Sequence, residues 1–296
     1  MSQDNGTTWS PLQVVYSESN ATHAVTIGNP APVVVGDKVL LFCRNNLQLL
    51  TLWSMDASAT VWEESPADIT AAVTSEVPTW IASGPPGGIV VDGRIIVALN
   101  FAQFVDIRTG GPMANAVALL SDDDGTTWSR SKNMVERGNE GQIALAPNGS
   151  LLFNLRTRAP HADARLLSWS DDIGTSWSQP AEFLPHSGSA CEKSMIRASN
   201  DLLLFSHNYW YGGGNTRANL TLWTSADSGA SWQWLEQADA PLRDEPAAYS
   251  SLLAHNETHA MLVYERNYRT LTWQLVALRA GRPRRPFGAR QHSGII

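Results

Sequence analysis

Glu140 opens the apolar run Glu140-Gly141-Gln142-Ile143-Ala144-Leu145, and Arg156 closes the run Leu151-Leu152-Phe153-Asn154-Leu155-Arg156, with an Asn148-Gly149 turn between them. Two such runs around a tight turn form an antiparallel hairpin, which returns the chain to its starting level and brings both residues to one end. A carboxylate and a guanidinium placed in this way suit a buried ion pair. The arrangement recurs later. Tyr249 opens Tyr249-Ser250-Ser251-Leu252-Leu253, and the returning run Met261-Leu262-Val263-Tyr264-Glu265 ends in a carboxylate. Arg217 stands just ahead of the apolar run Leu220-Thr221-Leu222-Trp223. On pattern alone, Glu140 and Arg156 are either a structural salt bridge or part of a site, and a tyrosine that begins a strand is either core or functional.

The elements that position these residues are set by repetition. Four windows fit S-x-D-x-G-x-[TS]-W: Ser2 to Trp9, Ser121 to Trp128, Ser170 to Trp177 and Ser225 to Trp232. Each pairs a turn-forming Asp and Gly with one large aromatic able to pin the turn to a sheet. A fifth window, Ser54 to Trp62, is a weak copy with Ser in place of Gly and an extra residue before the Trp. Hairpin turns fall at Gly36-Asp37, Asp92-Gly93, Asn148-Gly149, Asn200-Asp201 and His255-Asn256, and a window follows each of the first four. The repeating unit is therefore a hairpin and then a window, with window starts about 52, 67, 49 and 55 residues apart, the length of a four-stranded propeller blade. The window at Ser2 has no hairpin before it, and the hairpin at His255 is followed by the strand-like Leu271–Val276 with no window after it. The pattern predicts an all-β, six-bladed β-propeller over residues 1–277 whose first blade is incomplete. In a propeller the inner strands of successive blades converge on one axis, which gives Glu140, Arg156, Arg217 and Tyr249 a place to meet.

Composition fits this reading. With 43% hydrophobic and 17% charged residues the chain can bury a large core. No apolar run approaches the roughly 20 residues needed to span a bilayer, and no charged-then-apolar leader precedes Ser2, so the compartment stays open. A net charge of −7 argues against nucleic acid as a partner except at the basic stretch Arg279–Arg290. That stretch belongs to a tail, residues 278–296, read as a solvated extension. Cys43 and Cys191 lie in or near apolar runs and read as reduced core thiols. Sequons at Asn5, Asn20, Asn148, Asn219 and Asn256 would be surface acceptors. Asp122-Asp123-Asp124 lacks the spaced later carboxylate of a calcium loop, so no metal site is expected. No cofactor is implied, and oligomeric state is not legible.

Taken together, the four windows, Asn139-Glu140-Gly141-Gln142 leading to Asn154-Leu155-Arg156, Arg217 ahead of its window, and Ala248-Tyr249-Ser250 leading to Leu262-Val263-Tyr264-Glu265 resemble the exo-α-sialidases (neuraminidases) with Asp-box repeats. Ile27-Gly28-Asn29-Pro30-Ala31-Pro32 and Trp80-Ile81-Ala82-Ser83-Gly84-Pro85-Pro86-Gly87-Gly88-Ile89 are also similar to that family. The resemblance implies a retaining glycosidase that removes terminal sialic acid from glycoconjugates with a tyrosine nucleophile, an exception to the usual pair of carboxylates. A neutral phenol suits a substrate that carries a carboxylate on its anomeric carbon, because an anionic nucleophile would be repelled. By resemblance, Tyr249 is the nucleophile and Glu140 its base. Arg156 and Arg217 match two of three arginines that hold the substrate carboxylate with paired hydrogen bonds. Glu265 matches the carboxylate that positions the third. Tyr209, Trp210 and Tyr211 could line the rim.

The family's third arginine and its acid/base Asp lie upstream of its first Asp box, and nothing in Met1 to Ser2 matches either. Without the acid, departure of the aglycone is unassisted, a deficit of about 10² to 10⁴-fold. Three readings follow: a sialidase, a propeller that binds sialosides without cleaving them, and a scaffold that binds a protein partner.

Overall fold

The computed structural model describes residues 2, 4, 6–65, 69–104, 114–157, 165–183, 191–199, 201–208, 217–235 and 246–278. Five antiparallel sheets follow one another in chain order. The first holds β1 (Ile27–Val35), β2 (Lys38–Asn45), β3 (Gln48–Ser54) and β4 (Trp62–Glu64), followed by a short helix α1 (Ile69–Val73). In the second, β5 (Trp80–Ser83) and β6 (Ile89–Val91) both pair with the long β7 (Arg94–Ala102), and β8 (Asn115–Ser121) and β9 (Ser129–Arg130) complete it. The third is β10 (Gly141–Leu145), β11 (Leu151–Arg156), β12 (Arg165–Ser170) and β13 (Ala181–Phe183). The fourth is β14 (Met195–Ser199), β15 (Leu202–Asn208), β16 (Leu220–Ser225) and β17 (Gln233–Leu235). The fifth has three strands, β18 (Ala247–Asn256), β19 (His259–Arg266) and β20 (Thr270–Ala277).

A core fills the space between each sheet and the next, so the second, third and fourth sheets are buried on both faces, while the first and fifth each have one more exposed face. Ile96, Ala98 and Ala118 of the second sheet pack with Ile143, Phe153 and Leu155 of the third, and Leu152 and Leu167 of the third pack with Leu203 and Phe205 of the fourth. This is why β11 reads as a near-continuous apolar run rather than an alternating one: an inner strand has no solvent face. Leading strands contact their neighbours in turn, β10 with β14 and β14 with β18, while trailing strands such as β9 are exposed.

The Asp boxes are turns that wedge one sheet against its predecessor. In the box at Ser121, the serine Oγ donates to Asp123 Oδ1 at 2.9 Å and accepts the Gly125 N–H at 2.9 Å, Thr127 donates to both Asp123 oxygens, and Trp128 Nε1 donates to the Gly125 carbonyl at 3.0 Å. Gly125 has φ +81°, and a Cβ there would come within 2.9 Å of Trp53 on the preceding sheet. Gly174 faces Leu120 and Gly229 faces Leu152 in the same manner. The degraded window at Ser54 closes the same way, with Thr60 on both oxygens of Asp56 and Trp62 Nε1 on the Ala59 carbonyl at 2.9 Å. Ala59 N–H donates to the Asp56 carbonyl at 3.1 Å as Thr126 N–H does to Asp123, so Ser58 holds the glycine position and the extra residue, Val61, falls between Thr60 and Trp62.

The described residues form five sheets where the sequence predicts six blades. The orphan box at Ser2 forms, but residues 10–26 pair with no strand. Gly6 seats on Trp273 of β20, Trp9 and Trp273 have ring centroids 6.5 Å apart, and Glu18 accepts a hydrogen bond from Asn45 of β2. The last turn lies at Glu257-Thr258, two residues after the expected place, because the Asn256 side chain accepts from Thr258 N and Oγ1 and closes an Asx turn. Cys43 and Cys191 are buried free thiols, each raised in pKa by burial. Asp122 is bound by both ends of the Arg94 fork at 2.7 and 2.9 Å, and among the described residues no cluster of His, Cys, Asp or Glu fits a metal ion. No described helix is long and apolar enough to cross a membrane. Asn20, Asn148 and Asn256 are exposed. Asn5, Tyr209, Trp210, Tyr211 and the tail from Arg279 onward lie outside the described residues.

Candidate active site

The ladder between β10 and β11 pairs Gly141 with Leu155, so Glu140 and Arg156 fall just beyond it at the same end, tied by the Arg156 N–H donating to the Glu140 carbonyl at 2.8 Å. Their side chains meet as the hairpin predicts: Arg156 Nη1 donates to Glu140 Oε2 at 2.5 Å. Tyr249 arrives from the fifth sheet, 109 residues away in sequence, and its Oη donates to Glu140 Oε1 at 2.5 Å. Arg156 Nη1 lies 3.2 Å from the same phenol oxygen. Side-chain exposure is 15% for Arg156 and 7% for Glu140, so the three form a nearly dry cluster.

Electrostatics fix the resting protonation. Burial, then the Glu140 charge and its hydrogen bond, push the Tyr249 phenol well above its ordinary value. The proton therefore rests on Tyr249, aimed at a carboxylate. Burial alone would lower the Arg156 pKa, but the adjacent Glu140 outweighs it and holds the guanidinium charged. Arg156 Nε is buried with no partner among the described residues, which leaves an unsatisfied donor beside the phenol. A buried donor in this state gains from an acceptor supplied by a ligand.

Arg217 is held by backbone pairing, its carbonyl accepting the Ala247 N–H at 2.7 Å, and its guanidinium carbon sits 5.5 Å from the centre of the Tyr249 ring. That is within cation–π range. Glu265 Oε2 accepts the Tyr249 backbone N–H at 3.4 Å. All five residues singled out in the sequence thus come together at one end of the leading strands.

Several neighbours were not singled out. Asn29, at φ +53° in a break of the β1 ladder, donates to Glu140 Oε1 at 3.3 Å. Asn29 lies within the family-like run Ile27–Pro32, but nothing in that run marked its amide as a partner of Glu140. Beneath the cluster, Arg165 is 2% exposed and Glu192 and Lys193 are 1% exposed. Arg165 donates twice to Asn154 Oδ1 and once to the Cys191 carbonyl, and Lys193 Nζ lies 2.7 Å from His207 Nδ1. Charged residues in sequence read as surface, so nothing local marked these as central.

The model of the BNR repeat-like domain matches residues 1–262. The chain is 28% identical over 251 residues to a sialidase of Bacteroides fragilis, covering 80% of this chain and 42% of that one. It is 23% identical over 289 residues to a sialidase of Trypanosoma cruzi, covering 85% of this chain and 24% of that one. The chain thus spans less than half the length of either relative. Among solved structures, the Hadza microbial sialidase Hz136 superposes with a TM-score of 0.73 at 24% identity, over 94% of this chain and 58% of that one. The Trypanosoma rangeli sialidase, solved as its covalent intermediate with 2,3-difluorosialic acid, gives 0.73 at 20% identity, over 94% and 48%. Five sheets in one ring, the Asp boxes between them and a match to nine-tenths of the sequence together place the chain: it belongs to the BNR repeat-like domain family, alongside sialidases.

Proposed function

We propose that this protein is a sialidase-type glycosidase in which Tyr249 attacks the anomeric carbon of a terminal sialic acid while Glu140 Oε1 takes the phenol proton. The observation that carries this reading is the 2.5 Å bond from Tyr249 Oη to a carboxylate that is itself held by Arg156. A bond forms from the phenol oxygen to the sugar and the bond to the aglycone breaks. The aglycone departs as an anion; water then attacks the sugar–enzyme bond and releases a proton to solvent, where it neutralises the aglycone, while Glu140 returns the phenol proton to Tyr249 as the phenolate leaves. Arg156 and Arg217 hold the substrate carboxylate, and Glu265 steadies the strand from which Tyr249 projects. The neutral phenol at rest avoids repulsion with that carboxylate, which is the reason to prefer it over an ionised nucleophile. The B. fragilis and T. cruzi relatives are both sialidases, and the T. rangeli enzyme has been trapped covalently with a fluorinated sialic acid. The box at Ser2 seats on Trp273 as the other boxes seat on their preceding sheets, which supports a sixth, incomplete blade within a propeller over residues 1–277.

An aryl sialoside, whose phenolate departs without a proton, reads the Tyr249 step by itself. Binding without cleavage is the second reading, favoured by the buried Arg156 Nε that has no partner among the described residues. Both are tested by incubating chain 1–296 with an aryl fluorogenic sialoside and measuring free fluorophore, with Tyr249→Phe alongside. Release that disappears in the variant is the expected result. Saturable binding of sialic acid with no release from either protein selects the binding reading, and indifference to sialic acid removes both.

A further inference from the structure

Two carboxylates, not one, fix the strand that carries Tyr249. The β18–β19 register shifts between Ala247 and Ser250, so the ladder is broken at Ala248-Tyr249 and does not set how far Tyr249 projects. The exposed backbone donors are caught by side chains instead. Tyr249 N–H goes to Glu265 Oε2 at 3.4 Å, and Ser250 N–H goes to Glu192 Oε2 at 3.0 Å.

Glu192 acts as part of a clasp. Two residues further on, Ser194 Oγ accepts the Leu252 N–H at 3.0 Å, so Glu192 and Ser194 meet Ser250 and Leu252 with the period of a strand edge. Ser194 Oγ in turn donates to Gln142 Oε1 at 2.8 Å, which also accepts the Met195 N–H at 2.8 Å. The segment Cys191–Met195 therefore joins β18, which carries Tyr249, to β10, which Glu140 precedes.

A serine or an amide could accept one N–H at far lower cost than a carboxyl that is 1% exposed and whose Oε1 has no partner among the described residues. Burial, and after it the nearby Glu140 charge, hold Glu192 well above the ordinary carboxyl range, which favours its neutral form, of which glutamine is the isostere. We propose that Glu192 is a positioning residue for Tyr249: through the Ser250 N–H it sets the depth at which the phenol meets Glu140. Its effect on catalysis rests on the glycosidase reading above; its effect on the phenol does not.

The test labels the full chain with [13Cζ]tyrosine and identifies the Tyr249 resonance among the six tyrosines through Tyr249→Phe. Glu140→Gln then shows how far the resonance moves when the carboxylate is lost. Glu192→Leu, which keeps bulk and removes the acceptor, should move the resonance by a comparable amount, and Glu192→Gln should restore it. Glu192→Met is read in the same way if the leucine variant does not fold. A resonance unmoved in folded Glu192→Leu or Glu192→Met overturns the proposal, as does a glutamine variant that moves as far as leucine. On an aryl sialoside, Glu192→Leu should lower kcat about 10²-fold, the cost of an ångström-scale misplacement, with KM within about 3-fold because Arg156 is untouched, and glutamine should rescue kcat. A parent chain that releases no fluorophore removes the glycosidase reading and leaves the resonance result to decide.

Discussion

Replacing Glu140 with glutamine keeps the volume of the side chain and removes its charge. The carboxylate accepts three hydrogen bonds, from Tyr249 Oη at 2.5 Å, Arg156 Nη1 at 2.5 Å and Asn29 Nδ2 at 3.3 Å. An amide offers one carbonyl and one NH2. If the carbonyl faces Arg156, the NH2 meets the Tyr249 hydroxyl and the Asn29 amide; if it is turned round, the NH2 meets the guanidinium. Either way a buried donor loses its acceptor, the phenol proton in the first case and the guanidinium in the second. Removing one member of a buried ion pair costs about 3–5 kcal/mol, and because glutamine keeps one good acceptor the lower end, about 3 kcal/mol, applies. At about 2–4 °C per kcal/mol for a domain of this size, the melting temperature should fall by roughly 6–12 °C. Thermal melts of parent, Glu140→Gln and Glu140→Asp at pH 7 measure this, with aspartate as the control that keeps the charge one methylene short. Hydrolysis of an aryl sialoside by the glutamine variant should fall about 10² to 10⁴-fold. A glutamine variant that melts with the parent would refute the view that Arg156 depends on this carboxylate. One that melts early but hydrolyses at the parent rate would remove Glu140 as the base.

Gly125→Ala and Gly149→Ala share a left-handed backbone, at φ +81° and +91°, but only the first would drive a Cβ to within 2.9 Å of Trp53. Both should lose about 1–2 kcal/mol to backbone strain, and Gly125→Ala about 1–3 kcal/mol more to overpacking; equal shifts in urea midpoint would contradict the wedge role of the Asp boxes. Arg156→Lys replaces a fork with a point charge and should weaken calorimetric binding of sialic acid roughly 10- to 100-fold, the equivalent of one charge-assisted hydrogen bond; unchanged affinity would exclude Arg156 from carboxylate binding. Asp4, Asp56 and Asp227 are lowered from 3.8 to about 2 by side-chain hydrogen bonds from Thr8, Thr60 and Ser231, so the folded state favours their ionised form. Their contribution is fully present above about pH 4 and is lost as pH falls towards 2, so melting temperature should drop across that window and Asp227→Asn should flatten the drop.

The Asp boxes could be read directly because their chemistry is local. Every bond from Ser121 to Trp128 that closes the turn spans four residues or fewer, and the degraded copy at Ser54 keeps its Asp-to-Thr bonds because the spacing from Asp56 to Thr60 is unchanged. The Glu140–Arg156 meeting was equally legible, since a hairpin with its turn at Asn148-Gly149 admits one register that keeps both strands in the core. The count of sheets was not, because a window counts turns, while a sheet needs strands that find partners. The box at Ser2 folds and seats on Trp273, but residues 10–26 form no strand.

The sequence by itself determined the all-β class, the repeating turn and the hairpin that unites Glu140 with Arg156, all of which rest on contacts a few residues to one hairpin apart. Only the tertiary structure decided that Tyr249 reaches Glu140, that Asn29 joins them, and that Glu192, Lys193 and Arg165 lie buried beneath. Those contacts cross between sheets. They depend on how the ring brings leading strands together at the axis, where side chains must satisfy the strand-edge N–H groups that no neighbouring strand pairs.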